Sequence, residues 1–185
     1  GISFALFYVT LGIPIARMAD KGNRRNIVAI AVATWSFMTA LSGAAQNFMQ
    51  ILAARIGVAV GEAGGSPPAH SMISDIFPPE QRATALSIYS MGINFGILIG
   101  FVIGGWVNDW FGWRWVFVII GVPGVLWAFV VRFTLREPPR GYSENVTVVA
   151  DAPPLMDVLN LLWSRRSFRH LSIAAGLHAF VGYGV

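Results

Sequence analysis

Long apolar blocks, broken by short polar punctuation, run the length of this chain. Block length carries more information here than periodicity. About 20 apolar residues are what a helix needs to cross roughly 30 Å of hydrocarbon, and no stretch shows the strict alternation of a half-buried strand. The pattern predicts five spans, at about 2–16, 27–45, 48–74, 83–107 and 115–133, with a sixth begun near Leu171. The polar breaks between them are RMADKGNRRN, Gln46-Asn47, DIFPPEQR, NDWFGWR and a long stretch from Arg136 to Arg169. The expected fold class is therefore an all-α polytopic membrane protein.

Composition agrees with this reading. Hydrophobic residues make up 55% of the chain and charged residues 12%, against about 25% charged in soluble domains. There is no cysteine, which excludes a disulfide framework and a thiolate metal site; neither metal nor cofactor is expected. The net charge of +4 would suit nucleic acid, but the placement of the charges points to the bilayer. Arg17, Lys21, Arg24, Arg25, Arg82, Arg132, Arg136, Arg140, Arg165, Arg166 and Arg169 fall on one side of the predicted spans. Arg114 falls on the other, and Arg55 lies within a span. The positive-inside rule makes the Asp20, Arg82 and Arg136 loops cytoplasmic. The expected setting is a multi-pass protein of the bacterial inner membrane, with the lipid bilayer as its partner and no nucleic acid. The chain opens on Gly1 inside one apolar run and stops at Val185 inside another, so a piece of a longer polytopic protein is expected.

The third span holds two opposite charges, Arg55 and Glu62, in NFMQILAARIGVAVGEAGGSPP. Charge at membrane depth is costly and faces a bundle interior or a watery cavity, where it serves a pathway. Seven residues are nearly two helical turns, so both side chains leave one face about 10 Å apart along the axis. Low dielectric raises a carboxylic acid's pKa and a nearby guanidinium lowers it, so movement of Arg55 offers a way to toggle protonation of Glu62. The alternative is a static structural pair.

Other residues call for shorter comment. His70 lies near Ser71, Ser74 and Asp75, but an aligned triad also needs a third group and an oxyanion hole. His70 and Ser66 are instead vestibule candidates, and no enzyme is expected. Asp75 and Arg82 flank Pro78-Pro79 and are read as ordering the cytoplasmic loop. Gly92, Gly96, Gly100 and Gly104 recur every fourth residue, a smooth face that lets another helix approach closely. Pro67-Pro68 and Pro123 are candidate bend points. After Pro153-Pro154, Leu155, Val158, Leu159 and Leu162 form an i, i+3, i+4, i+7 stripe ending at Arg165-Arg166. That stripe predicts a short amphipathic helix at the cytoplasmic interface.

The loop GIPIARMADKGNRR, residues 12–25, resembles the signature between the second and third helices of Major Facilitator Superfamily transporters. Asp20, Lys21, Arg24 and Arg25 match its charges; Ala16 stands where the pattern prefers glycine, and Gly22-Asn23 are in reversed order. RIGVAVGEAGGSPP, SDIFPPEQRATALSIY and GWRWVFVIIGVPG resemble the spinster-type branch, which is associated with lysophospholipids and sphingoid lipids. The glycine stripe is similar to one found in exporters, with Phe101 where that motif has proline.

This resemblance implies most of an N-terminal six-helix half: residues 1–135 as helices 2–6, 136–167 as a central loop with the amphipathic helix, and 168–185 as the start of helix 7. It implies a secondary active transporter working by alternating access, with Arg55 and Glu62 coupling substrate and protons. It also implies a latch of Asp20, Lys21, Arg24 and Arg25, joined by Asp75 and Arg82. The implied substrate is lipid-like or an organic anion, and the missing half of the same transporter is an implied partner. Two alternatives stay open: an organic-anion/proton symporter for small carboxylates, and a non-transporting membrane remnant.

Overall fold

The computed structural model describes residues 2–144 and 154–184, all helix and connection with no strand among them. Gly1, Val185 and 145–153, including Pro153 and part of the expected central loop, lie outside the described residues. The chain divides into two compact units, Gly1–Val149 and Ala150–Val185.

The first unit holds α1 (Ile2–Lys21), α2 (Arg24–Ser42), α3 (Phe48–Ala63), α4 (Ser66–Ile76), α5 (Pro79–Phe111), α6 (Trp113–Thr134) and a 3₁₀ turn at Tyr142–Glu144. Local chemistry sets the boundaries. Asn23 caps α2 by accepting from the Asn26 N–H at 2.9 Å, which satisfies one of the orphan donors of the first turn. Asn47 does the same for α3 through the Gln50 N–H, and the Gln50 side chain reaches back to the Gln46 N–H at 2.6 Å. Pro79 opens α5, where its missing donor costs nothing. A single residue, Gly112 at φ 82°, joins α5 to α6.

The expected third span is not one helix. It breaks at Gly64-Gly65 into α3 and α4, because Pro67 and Pro68 lack the N–H groups that would continue the ladder from α3. Prolines are tolerated in a first turn, so α4 starts afresh at Ser66. Pro123, by contrast, sits inside a continuous α6. As a result α5 and α6 are the two described helices that pass as bilayer spans on length and apolar content alone. The helix α2 carries Arg24 and Arg25 at its start, and α3 is cut short.

The helix α2 lies between α3 and α6, and the core is built from small residues. Ala31, Ala54, Ala59, Ala63 and Ala128 are buried. Glycines allow the closest approaches. A Cβ at Gly61 would stand 2.6 Å from the Trp35 backbone nitrogen, and one at Gly121 would stand 2.5 Å from that of Ala40. Without a hydrophobic drive between helices in lipid, such small-residue contacts are what bring backbones together. The helix α5 contributes no buried residue.

The second unit contains α7 (Leu155–Ser164) and α8 (Arg166–Gly184), separated by Arg165 alone. The predicted amphipathic helix is α7, and α8 starts earlier than the run near Leu171 suggested.

Candidate functional site

Two polar constellations stand out in the first unit. One runs along α3 and α4; the other ties the start of α2 to α4 and to the segment after α6.

Arg55 and Glu62 lie on α3 at the spacing expected of one face, with Arg55 exposed and Glu62 half-buried. Ion pairs among the described residues include Arg24–Asp75, Arg24–Glu137 and Arg82–Glu144. Gly61 and Gly65, on either side of Glu62, press on Trp35 of α2. Glu62 therefore sits on the helix turn held closest to α2. Beyond the break, Ser66 is half-buried and His70 exposed. The His70 ring meets Tyr89 of α5 edge to face, centroids 5.3 Å apart.

The second constellation centres on Arg24, whose side chain is 1% exposed. Its Nε donates to Glu137 Oε1 at 2.8 Å and its Nη2 to the Pro138 carbonyl at 2.8 Å. Its Nη1 donates to Ser71 Oγ at 2.9 Å and to Asp75 Oδ2. A buried guanidinium needs this many acceptors, because each unmet donor carries a desolvation cost. Glu137 Oε2 also accepts the Arg25 backbone N–H at 2.7 Å, while Asp75 Oδ1 accepts that of Gly141 at 2.9 Å. Partial burial alone would raise the Glu137 carboxyl; the Arg25 N–H and the Arg24 guanidinium outweigh it and hold the group below its ordinary value.

Arg82 extends the cluster. Its Nε donates to the Ser74 and Phe77 carbonyls, both at 3.1 Å, and its Nη2 to Ser143 Oγ and Glu144 Oε1. Arg140 donates to the Ala19 and Gly22 carbonyls at the α1–α2 turn. The segment 137–144 is thus strapped across the ends of α1, α2 and α4.

The structure brings Arg24, Arg25, Asp75 and Arg82 together through this segment. Asp20 and Lys21, at the end of α1, are exposed and outside the network. Ser71 and Asp75 are engaged by Arg24 rather than by His70. Within this chain a Cβ at Gly92, Gly96 or Gly100 would meet nothing within 4 Å among the described residues, and one at Gly104 would meet Val116 Cγ1 at 3.5 Å. Glycines that make close helix contacts include Gly43, Gly57, Gly61, Gly65, Gly121 and Gly124. Sequence reading also missed Glu137, Pro138, Arg140, Ser143 and Glu144. Their signal was present: acidic residues in a basic loop add little to topology, so Glu137 and Glu144 needed another reason to be there.

Comparison with known proteins places these features in a family. The Major Facilitator Superfamily model matches residues 1–185. An MFS-type efflux pump of Mycolicibacterium smegmatis is 37% identical over 131 residues, covering 71% of this chain and 30% of the pump. The human protein spinster homolog 1 is 35% identical over 155 residues, 82% of this chain and 29% of that protein. A solved bacterial homologue of the human lysosomal transporter Spinster, inward-facing and unoccupied, aligns with a TM-score of 0.73 at 40% identity. That alignment covers 100% of this chain and 44% of the solved one. The chain spans less than half the length of each of these relatives. With its whole length matched and its helices superposing on a spinster homologue, the chain belongs to the Major Facilitator Superfamily.

Proposed function

We propose that this chain is part of a secondary active transporter working by alternating access, with Arg55 and Glu62 of α3 as its substrate- and proton-coupling pair. The observation that carries the reading is a carboxyl and a guanidinium on one face of a helix in a family of membrane carriers. Charge at that depth is retained where it serves a pathway. Arg55 holds an anionic group of the substrate and Glu62 exchanges the coupling proton. His70 and Ser66 line the approach on α4. The Arg24-centred network, with Asp75, Arg82 and Glu137, acts as a latch whose making and breaking accompanies rocking of this half against the opposing half of the same transporter. Loops bearing Asp20, Arg82 and Arg136 face the cytoplasm, on the side that the positive charge favours. No enzymatic step is involved.

The substrate is lipid-like in the leading version, supported by similarity to spinster homologues. A small organic anion is the second version, supported by relatives named as a D-galactonate transporter and a probable galactarate/D-glucarate transporter, 29% and 31% identical. Proteoliposome uptake by the complete protein tests both, with lysophospholipids and sugar acids offered across an imposed pH gradient. Glu62→Gln is expected to abolish the dependence on the gradient while leaving substrate binding measurable. Unchanged gradient-driven uptake in that variant refutes the coupling role.

A further inference from the structure

Glu62 stands in the last turn of α3, and that turn has little backbone support of its own. The Gly64 N–H donates to the Gly61 carbonyl at 3.0 Å and the Gly65 N–H to the Glu62 carbonyl at 3.1 Å, short bonds of the kind that close a helix end. Pro67 and Pro68 have no N–H to offer the carbonyls of Ala63 and Gly64, and α4 begins without a side-chain cap. A helix end held this way opens unless tertiary packing fixes it. Trp35 of α2 supplies that packing. A Cβ at Gly61 would lie 3.0 Å from the Trp35 Cα, and one at Gly65 would lie 2.8 Å from Cζ3 and 3.2 Å from Cη2 of its indole. The α2 backbone is thus set against the residue before Glu62, and the indole ring against the break after it. Ala31, one turn earlier on α2, and Ile15 of α1 close over Gly64. Within 61–65 every residue is buried except Glu62, which is half-buried. The packing therefore grips the backbone around Glu62 and leaves its side chain the most open of the turn. Further on, the same α2 holds α4 where Arg24 meets Ser71 and Asp75, so α4 is tied to α2 beyond the break as well as at it.

From this packing we infer that Trp35 is the positioning residue of Glu62: the indole, wedged on the α3–α4 break, fixes where the carboxyl stands and how much water reaches it. The inference rests on the reading of Glu62 as the group that exchanges the coupling proton. A large flat ring suits the task, because it fills a gap between two backbones with few rotatable bonds of its own. Truncating it to a methyl group leaves a void beside the break, into which the loose turn can relax. The charge acting on the Glu62 carboxyl among the described residues is Arg55 of the same helix; none from α1, α2 or α4, the elements packed on α3, does so. Its protonation therefore follows from its distance to Arg55 and its access to water. Both are set by the turn that Trp35 holds.

A hydrophobic carbodiimide, which modifies protonated carboxyls, reads the proton on Glu62 in the complete protein reconstituted in vesicles. Label at Glu62 is quantified by peptide mass spectrometry across a pH series, with Glu62→Gln as the blank. Trp35→Ala is expected to move the midpoint of the labelling profile by about one pH unit, which is a tenfold change in label at a fixed pH on the alkaline side. Trp35→Leu keeps apolar bulk without the reach of the ring; it is expected to shift the profile in the same sense and replaces alanine if that variant does not fold. Trp35→Phe keeps a ring on the break and restores the parent profile. Met38 packs on Gly57, one turn earlier in α3, and serves as the structural control: Met38→Ala lowers stability and leaves the profile in place. Gradient-driven uptake by Glu62→Gln tests the coupling role separately, so failure of that role is not confused with failure here. Coincident profiles in the parent and Trp35→Ala or Trp35→Leu overturn the assignment. So does an equal shift in Met38→Ala, or a Glu62 that takes no label in the parent at any pH.

Discussion

Arg24 and Glu137 stand 113 residues apart in the chain and meet through a 2.8 Å hydrogen bond from Nε to Oε1. The contact ties the first turn of α2 to the segment that leaves α6, and Asp75 of α4 shares the same guanidinium. Three helices are therefore held at one end by a single side chain that is almost wholly buried.

Removing that side chain leaves two carboxylates facing each other. Arg24→Met is expected to destabilise the folded chain by about 3 kcal/mol, the scale for breaking a buried pair from one side. Glu137→Gln should cost about 1 kcal/mol, because Glu137 is 25% exposed and solvent screens what remains. Thermal unfolding in detergent micelles measures both. Equal losses from the two variants would contradict the central role of Arg24.

The Glu137 carboxyl has a defined pH signature. Its folded pKa lies below the ordinary value of 4.5, so the folded state binds the proton less readily than the unfolded state. Its contribution is fully present above the ordinary carboxylate pKa and is lost as pH falls through the depressed one. Stability of the parent should thus carry a component that declines only in acid. That component is expected to vanish in Glu137→Gln, and an identical acid limb in parent and variant would sink the assignment.

Two glycine substitutions should behave oppositely. At Gly121 an added Cβ would meet backbone atoms, Ser36 O at 2.6 Å among them, so Gly121→Ala must push α2 and α6 apart at a cost of about 1–3 kcal/mol. At Gly96 the space is open, and Gly96→Ala in this chain should be neutral or gain up to about 1 kcal/mol from helix propensity. Chemical or thermal unfolding of the pair decides it. A destabilising Gly96→Ala in this chain would show that the glycine face of α5 is packed after all.

Gly112 tests the hinge between α5 and α6. Its φ of 82° and ψ of 163° are open to glycine and strained for any residue with a side chain. Gly112→Ala is expected to cost about 1–3 kcal/mol although nothing lies within 4 Å of the new methyl group. A loss that size, in the absence of any clash, isolates backbone strain as the cause; full stability in the variant would remove it.

Much of the helical layout was legible because spanning a bilayer imposes length and apolar content on consecutive residues. The helices α1, α2, α5 and α6 could be placed from their apolar blocks, and the basic loop at 17–25 pointed to the family. The break of the third span was only half legible. Pro67-Pro68 suggested a bend, yet a continuous apolar count ran through Gly64-Gly65 to Ser74. Hydropathy does not register a missing N–H donor. The glycine stripe of α5 has a related limit: every fourth position creates a smooth face, but periodicity does not say which helix lies against it.

Of the polar constellations, the sequence by itself determined the one whose logic is local. Arg55 and Glu62 share a helix, and their spacing within an apolar run makes them candidates without any fold. The resemblance already grouped Arg24 with Asp75 and Arg82, but which acceptors Arg24 takes was decided by tertiary structure. Its partners come from α2, α4 and the segment after α6, and a buried arginine takes whichever acceptors packing brings within reach. Arg25 and Lys21 look like Arg24 in the sequence. The difference arises because the first turn of α2 faces α4 and the 137–144 strap, so that Arg24 must give up water and satisfy its donors with protein oxygens.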